Sequence, residues 1–389
     1  MKRIFALTVC FMLLFSCAAH GAEPSLSAES VVLMCADTGD VLFEKNKDLA
    51  LPPASVTKIM TMLLVMEEIE KGNLKYDDVV TASDRAKSMG GSTIFLDSGE
   101  KMTVHDLLKG VAVASANDAC VALAEHISGS VEDFVEKMNA RANELGMKNT
   151  CFKNTNGLDS DGHVSSAYDI ALMSRELMRH KDIFGFTKIW TDSLRNGEFL
   201  LANTNKLIRF YDGATGLKTG STSKAGCCIS ATAERGGLNL IAVVMNAPDS
   251  KTRFADARTL LDFGFANYSV WRYEDTESAV GTVRVKKGME KTAVAVPESA
   301  VSALIKKGAG EVEMKTELYD EVASPVKKGD RLGTLSFYLG DEKISECALV
   351  AKSDVERITF GRVYLNFLKQ LAFNSEGEAP VSRLNALEK

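Results

Sequence analysis

The chain has 389 residues, of which 46% are apolar and 25% are charged. This composition is ordinary for a soluble globular protein, and it excludes a disordered chain and a membrane protein with many spans. The 52 acidic residues outnumber the 46 basic ones, and a net charge of −6 provides no basic field for nucleic acid. The length suffices for two or three domains.

The sequence contains five histidines, and none stands three to five residues from another. Neither CxxC nor HExxH occurs, so the sequence argues against a zinc site. We expect no metal and no cofactor, and any hydrolytic reaction must take its base from a residue other than histidine. Six cysteines follow the first 22 residues; buried free thiols are the favoured interpretation, and disulfides stay open.

Residues 1–22 have the pattern of a secretion signal. Two basic residues precede an apolar run from Ile4 to Phe15. As a helix this run would be about 18 Å long, too short for a bilayer of about 30 Å, and Ala19-His20-Gly21 offers a cleavage site. We therefore predict export to the extracytoplasmic face of the membrane or to the cell envelope. A lipoprotein signal at Cys17 remains the alternative, although Phe15 is bulky for it.

Residues 23–273 have the mixed pattern of an α+β domain with an antiparallel sheet flanked by helices. A hairpin is predicted over Val31–Glu44, and strands are predicted over Gly216–Gly220, Gly226–Glu234 and Leu238–Asn246. Between and after these lie six segments with helical periodicity. They are Ser55–Lys71, Val104–Val111, Asn117–Ile127, Val131–Leu145, Ser166–Arg179 and Thr252–Phe263.

Residues 276–356 form a small β-rich second domain, because short β-rich segments alternate there with Lys-Lys-Gly turns. It carries no cluster of catalytic side chains, and a spacer or interaction module is the favoured interpretation. Residues 357–373 follow as an amphipathic helix with an aromatic face, which either lies in the membrane interface or docks on its own domain. Residues 374–389 are predicted to be a flexible tail.

Three short patterns in the first domain carry candidate chemistry: Ser55-x-x-Lys58, Ser115-x-Asn117 and Lys218-Thr219-Gly220. The first alone is weak evidence, because Ser-x-x-Lys occurs four times in the chain. Two prolines precede Ser55, which places it at a helix N-terminus where its N–H is free and the helix dipole favours an anion. Lys58, one turn later, can bring its amine to the Ser55 hydroxyl. Burial and Lys218 as a second cation would lower the pKa of Lys58.

The other two patterns predict how a peptide is held. Ser115 and Asn117 fall in a break between two helices, where one can relay a proton and the other can bind a substrate amide. Gly220 leaves room for an extended peptide along an edge strand, with Lys218 and Thr219 placed for a carboxylate.

With the segment Asn154-Thr155-Asn156-Gly157-Leu158-Asp159, these motifs resemble the low-molecular-mass penicillin-binding proteins that are D-alanyl-D-alanine carboxypeptidases. The signal, the β-rich domain and the terminal helix match the same architecture, so the resemblance covers about residues 25–372. It implies a metal-free serine peptidase that removes the terminal D-alanine from peptidoglycan pentapeptide stems. It also implies that β-lactam antibiotics are covalent inhibitors and that the terminal helix holds the protein at the membrane surface.

The resemblance also implies a role for each motif residue. Ser55 would be the acyl-ester nucleophile, Lys58 its proton acceptor, Ser115 the shuttle to the leaving D-alanine and Asn117 the group that binds the peptide amide. The carboxylate would be bound by Lys218 and Thr219 beside Gly220, and the oxyanion by the backbone N–H groups of Ser55 and Ser221. For Arg253, help with the carboxylate is an option, and an ordinary surface arginine is favoured.

Three other interpretations of the motifs are open. Ser55 and Asn117 could simply cap helices, with Lys218 a surface charge. The protein could be a peptidoglycan-binding scaffold with vestigial chemistry, which the intact motifs argue against. A β-lactamase is the closest alternative, but class A enzymes need a Glu-x-x-Asn on a loop between the second and third motifs, and we expect no such pattern in residues 118–217.

Overall fold

The computed structural model describes residues 24–361, 363–365 and 368. The predicted secretion signal at 1–22 and the predicted tail at 374–389 therefore lie outside the described residues. Several positions of the helix predicted over 357–373 lie outside them as well. None of the described helices is long and apolar enough to cross a membrane.

The described chain divides into two compact units. The first runs to Ser269 and also takes in Leu304–Gly308, and the second comprises Val270–Ala303 and continues from Ala309. The first unit is α+β. Its strands are β1 Ser30–Cys35, β2 Val41–Lys45, β3 Val79–Thr81, β4 Lys101–Thr103, β5 Thr191–Leu194, β6 Phe199–Ala202, β7 Ala214–Thr222, β8 Gly226–Arg235 and β9 Leu238–Ala247.

Nine α-helices are described in the first unit. They are α1 Lys58–Glu70, α2 Asp84–Lys87, α3 Val104–Lys109, α4 Asn117–Ser128, α5 Val131–Glu144, α6 Ala167–Leu177, α7 Phe184–Thr187, α8 Leu207–Phe210 and α9 Ser250–Asn267. Short 3-10 turns occur at Ala54–Thr57, Lys181–Ile183 and Arg195–Gly197, and a π-helix at Gly110–Ala114. Side-chain caps from Thr103, Ser130, Ser166 and Asp249 fix the starts of α3, α5, α6 and α9.

A five-stranded antiparallel sheet forms the centre of the first unit, in the order β2-β1-β9-β8-β7. Its strands are apolar on both faces because helices cover both. Val32 and Met34 belong to the main core with α1, α4 and α6, whereas Leu33 and Leu240 contact α9 at Gly264. The strand β7 is left at the edge of the sheet, and among the described residues no strand pairs with its outer side.

Up to Ala351 the second unit is all-β. Its strands are β10 Tyr268–Tyr273, which begins at the end of the first unit, β11 Gly281–Lys286, β12 Thr292–Pro297, β13 Val301–Lys306, β14 Val312–Leu318, β15 Glu321–Ala323, β16 Arg331–Leu339 and β17 Glu342–Ala351. Six of these form a sheet in the order β14-β16-β17-β12-β11-β15, in which β11 and β15 run parallel. The second unit has its own hydrophobic core, which contains Phe337, Leu335 and Leu349. The ring centroids of Trp271 and Phe337 lie 4.8 Å apart.

The six cysteines of the described chain are all free thiols. Cys228 is buried in the sheet and its neighbour Cys227 is partly exposed, as expected for consecutive residues of a strand.

Candidate active site

Ser55 lies in the 3-10 turn Ala54–Thr57, which leads directly into α1. Ala54 adopts the left-handed backbone conformation, with φ of +47°, which an alanine rarely takes. Such strain persists only where the surroundings enforce it, and it concentrates at functional sites. Lys58 is the first residue of α1 and is fully buried.

The Lys58 amine lies among three oxygen acceptors. Its Nζ is 2.9 Å from Ser55 Oγ, 2.7 Å from Asn117 Oδ1 and 2.6 Å from the backbone oxygen of Asn156. Burial lowers the pKa of Lys58 from 10.5 to about 8. A neutral amine has two hydrogens and one lone pair. If the hydrogens go to the two carbonyl oxygens, the lone pair faces the Ser55 hydroxyl, which is the geometry that a general base requires.

Ser115 and Asn117 follow the π-helix Gly110–Ala114. Ser115 ends it in the left-handed conformation, with φ of +64°, and Asn117 is the first residue of α4. The Asn117 side chain donates from Nδ2 to the Gly90 oxygen at 2.7 Å while its Oδ1 accepts from Lys58. Its backbone N–H donates to Ser92 at 2.7 Å. This segment therefore links the buried lysine to the loop around residues 90–92.

The third motif lies on the edge strand β7, packed against the turn that carries Ser55. A Cβ on Gly220 would lie 2.7 Å from the backbone nitrogen of Ser55, so only glycine allows this close approach. Lys218 is buried, and its Nζ donates to the Thr219 oxygen at 2.9 Å. Burial and the nearby Lys58 both hold the pKa of Lys218 well below its usual range. Ser221, the next residue on the strand, is exposed.

The segment 154–157 contributes to the site in a way that the sequence analysis did not predict. Besides the Asn156 oxygen on Lys58, the oxygen of Thr155 accepts from Thr61 on α1 at 2.6 Å. Gly157 packs so closely on Ala54 that a Cβ would lie 1.8 Å from the Ala54 oxygen. Backbone oxygens have no residue signature, and the only available signal was the resemblance that singled out this segment.

Arg253 is not an ordinary surface arginine, so the favoured interpretation was wrong. It is only 6% exposed, and its Nη1 donates to the Gly220 oxygen at 3.1 Å and to the Cys228 oxygen at 3.4 Å. Its position on a helix suggested exposure, but the start of α9 turns this face towards the end of β7. The guanidinium therefore supports the strand that carries Lys218.

The β-lactamase alternative requires a Glu-x-x-Asn pattern on a loop between the second and third motifs. The expectation that residues 118–217 lack this pattern was wrong, because it occurs at Glu136 and Asn139. Both residues lie within α5 and not on a loop, so the pattern does not form the site that a class A β-lactamase needs. Asn139 is bound to the backbone of Phe152, donating to its oxygen at 2.9 Å and accepting from its nitrogen at 2.8 Å. Asn139 therefore joins α5 to the segment after it.

In the described part of the chain, no group of three or more His, Cys, Asp and Glu side chains is arranged to hold a metal ion. The structure does bring Ser55, Lys58, Asn117 and Gly220 into direct contact, and Lys58 lies close enough to Lys218 to lower the pKa of Lys218. The pKa of Lys58 itself is lowered by burial, and the predicted effect of Lys218 on it is not seen. Fold and site together define a class of serine enzymes that pair the serine with a buried lysine instead of a histidine.

Comparison with known proteins identifies the family within that class. Residues 18–249 match the family described as D-alanyl-D-alanine carboxypeptidase, and residues 275–357 match the C-terminal domain of penicillin-binding protein 5. The chain is 46% identical over 354 residues to D-alanyl-D-alanine carboxypeptidase DacF of Bacillus subtilis, covering 90% of each chain. It is 32% identical over 406 residues to DacA of Escherichia coli K12, covering 95% of this chain and 96% of that one.

Solved structures of penicillin-binding proteins also match this chain. Penicillin-binding protein 5 of Haemophilus influenzae superimposes with a TM-score of 0.74 at 32% identity, over 86% of this chain and 99% of that chain. Penicillin-binding protein D2 of Listeria monocytogenes, in its cefotaxime-bound form, matches with a TM-score of 0.58 at 34% identity, over 63% of this chain and all of that chain. The chain belongs to the D-alanyl-D-alanine carboxypeptidase family of serine hydrolases. This confirms the predicted family and the predicted α+β fold followed by an all-β domain.

Proposed function

We propose that this protein removes the terminal D-alanine from peptidoglycan pentapeptide stems through an acyl-Ser55 intermediate, in cell-wall synthesis. The observation that carries the proposal is the buried Lys58 amine, 2.9 Å from Ser55 Oγ, with a pKa lowered to about 8. A serine hydroxyl is a weak nucleophile until a base accepts its proton, and a lysine can serve only when part of its population is neutral. Family membership supplies the substrate class.

Acylation would proceed as follows. The lone pair of Lys58 accepts the Ser55 proton while Oγ forms a bond to the carbonyl carbon of the penultimate D-alanine. The oxyanion that develops is stabilised by the backbone N–H groups of Ser55 and Ser221. Collapse breaks the carbon–nitrogen bond, and the proton passes through Ser115 to the amine of the leaving D-alanine. Water then hydrolyses the ester and restores Ser55.

The remaining motif residues would hold the peptide. The edge strand β7 presents backbone groups to an extended chain, and Gly220 keeps that approach open beside Ser55. Asn117 would bind the peptide amide. Lys218 and Thr219 would bind the terminal carboxylate, whose charge favours the protonated form of Lys218. Arg253 adds a buried positive charge behind the same strand.

The decisive experiment supplies a D-alanyl-D-alanine peptide and a penicillin separately. We expect release of free D-alanine from the peptide and a long-lived penicillin adduct on Ser55. Rapid penicillin turnover without D-alanine release would contradict the proposal and favour the β-lactamase alternative. Lys58→Ala should abolish acylation, and a variant that acylates normally would refute the base assignment.

The oxyanion assignment has its own test. Only the N–H of Ser221 is needed, so Ser221→Ala should stay active. Ser221→Pro removes that donor and should lower the rate by roughly a hundredfold or more, as loss of one such donor does in other serine hydrolases. Equal activity of the two variants would remove Ser221 from the oxyanion hole.

For location and organisation, we propose export by the segment at 1–22, a catalytic domain over 23–273, a β domain over 276–356 acting as a spacer or interaction module, and membrane association through 357–373. Phe360, Tyr364 and Leu365 support membrane association, because each exposes more than half of its surface.

A chain ending at Glu356 should leave the membrane fraction. If association is unchanged, lipid on Cys17 becomes the explanation, and Cys17→Ser should then abolish it.

A further inference from the structure

His163 is a buried histidine that belongs to none of the three motifs and yet contacts one of them. Its Nε2 lies 2.8 Å from Oγ1 of Thr57. Thr57 lies within the Ser55-x-x-Lys58 motif and directly precedes the lysine. The two residues are 106 positions apart in the chain. Both are buried: His163 is 3% exposed and Thr57 is fully covered.

The neighbours of His163 fix where its proton lies. The backbone N–H of Lys153 donates to Nδ1 at 2.9 Å, so Nδ1 must carry the lone pair. In a neutral imidazole the proton is then on Nε2, pointing at the Thr57 hydroxyl oxygen. Burial keeps the ring in this form, because it lowers the pKa of His163 to about 4. The imidazole therefore acts as a rigid donor–acceptor bridge.

The two hydrogen bonds of His163 join the turn 54–57 to both ends of the loop 153–163, which contacts the active site at several points. The loop 153–163 places the Asn156 oxygen on Lys58 and Gly157 against Ala54. Its Asp159 accepts from Thr222, at the end of β7, at 2.7 Å. A shift of this loop against the turn 54–57 would therefore move an acceptor of Lys58 relative to Ser55.

We propose that His163 is a positioning residue for the acylation step: through Thr57 it holds the turn that carries Ser55 in register with the loop that orients the Lys58 amine. This inference rests on the proposed function, in which Lys58 is the base for Ser55. Small displacements of reacting groups have large effects on rate, which gives the hydrogen bond kinetic importance beyond its contribution to stability.

Two substitutions separate the two hydrogen bonds of the imidazole. His163→Gln keeps a donor near the position of Nε2 and can still reach Thr57. His163→Asn keeps an acceptor near the position of Nδ1 and serves only Lys153. With a fluorescent penicillin, the acylation rate per folded molecule should fall roughly tenfold to a hundredfold in His163→Asn and stay within about threefold of the parent in His163→Gln.

Thr57 provides an independent arm. Thr57→Val removes the hydroxyl at nearly constant volume and should match the rate loss of His163→Asn, whereas Thr57→Ser should restore most of the rate. The double variant Thr57→Val/His163→Asn should be no slower than either single one, because both break the same bond. His180→Asn is the matched control: His180 is also largely buried, but it pairs with Glu70 and should not alter acylation.

The outcomes distinguish the inference from the proposed function. If the unsubstituted protein neither releases D-alanine nor forms the Ser55 adduct, the proposed function fails. If it does both, and His163→Asn and Thr57→Val acylate at the parental rate once folded, His163 is merely structural and the inference fails. A rate loss in His163→Gln equal to that in His163→Asn would also overturn it.

Discussion

Lys58 has three oxygen neighbours but, when neutral, only two hydrogens to give them, so its protonation state decides whether it can act on Ser55. With a pKa of about 8, roughly a tenth of the molecules carry the neutral amine near pH 7 and about nine tenths near pH 9. The neutral form is the base, so the acylation rate should rise about tenfold over this interval. Stopped-flow acylation by a fluorescent penicillin measures it. A flat or falling profile would contradict the assignment, and Lys58→Arg, charged throughout, should fail to acylate at either pH.

Gly220 is important because it has no side chain, which lets the strand β7 pack closely on the turn that carries Ser55. In Gly220→Ala the new Cβ would meet the backbone nitrogens of Ser55 and Val56 at 2.7 and 2.9 Å, and backbone cannot move aside as a flexible side chain can. We expect a loss of about 1–3 kcal/mol of stability and a fall in acylation of roughly a hundredfold or more. Urea unfolding and penicillin labelling measure the two effects. Gly185→Ala is the control: its new Cβ would meet nothing within 4 Å beyond its chain neighbours and its own helix backbone, so acylation should be unchanged and stability should not fall.

The buried His163 also predicts a pH dependence of stability. Its pKa is about 4 in the folded protein and near 6.5 when unfolded, so below pH 6.5 the unfolded chain binds the extra proton. Stability should therefore fall as the pH drops from about 6.5 towards 4, by about 2 kcal/mol at pH 5. The charged groups that act on the ring are Asp159 and Lys153, both on its own loop.

Urea unfolding of the parent and of His163→Gln, each near pH 7 and pH 5, isolates this contribution. The variant should lose less stability on acidification than the parent, by about the same 2 kcal/mol. Equal losses in the two proteins would show that His163 is already protonated in the fold or that other groups dominate.

At the scale of elements, α1 is held in place by one arginine shared between three helices. Arg141 on α5 binds Glu67 on α1 at 2.8 Å, Glu176 on α6 at 2.9 Å and Glu144 on its own helix at 3.0 Å. Its side chain is 22% exposed and that of Glu67 is 13% exposed, so these pairs are less screened than surface ones.

Arg141→Met should therefore destabilise the protein by about 1–3 kcal/mol in urea unfolding while leaving the acylation rate of the folded molecules unchanged. The control is Arg85→Met. Arg85 pairs with Glu132, and the two side chains are 48% and 68% exposed, so its removal should cost less than about 1 kcal/mol. Equal losses in the two variants would mean that the shared arginine contributes no more than a surface charge.

Local sequence patterns predict most elements of the first unit. The predicted α4, Asn117–Ile127, ends one residue before the observed helix, and the predicted strand Gly226–Glu234 ends one residue before β8. The short elements of the first unit were not predicted: the strands β3, β4, β5 and β6 and the four-residue helices α2, α7 and α8. The π-helix after α3 has the same apolar periodicity as an α-helix, so the sequence cannot distinguish them. In the second unit the strands β10, β13 and β15 were not predicted either; β13, Val301–Lys306, shows no strict alternation of apolar and polar residues.

For the site, the sequence predicts the groups that act through side chains but not those that act through backbone or long-range packing. The contact between Lys58 and Ser55 follows from helical spacing. The Asn156 oxygen does not, because every residue has one. The bond from His163 to Thr57 joins distant segments that only the folded chain brings together, and the burial of Arg253 depends on where the start of α9 meets β7.

At the scale of the whole molecule, each unit has its own core, and the site residues all lie in the first. The structure of penicillin-binding protein D2 of Listeria monocytogenes matches 63% of this chain, and the match covers 100% of that shorter chain. The shorter chain therefore folds without a counterpart of the other part of this chain. In this chain, however, Leu304–Gly308 belongs to the first unit. There Lys307 donates from Nζ to the Phe265 oxygen at 2.6 Å and from its backbone nitrogen to the Asn267 oxygen at 2.8 Å.

A chain ending at Tyr273 should therefore fold and be acylated at Ser55 within about threefold of the full chain, because the site is distant in sequence from the removed part and uses none of it. It should unfold more easily by about 1–3 kcal/mol, since two hydrogen bonds of Lys307 are lost. Penicillin labelling and urea unfolding test both points. Lys307→Met in the full chain removes only the Nζ bond and should show a smaller loss. If the shortened chain is folded but not acylated, the second unit is required for the active geometry of the first.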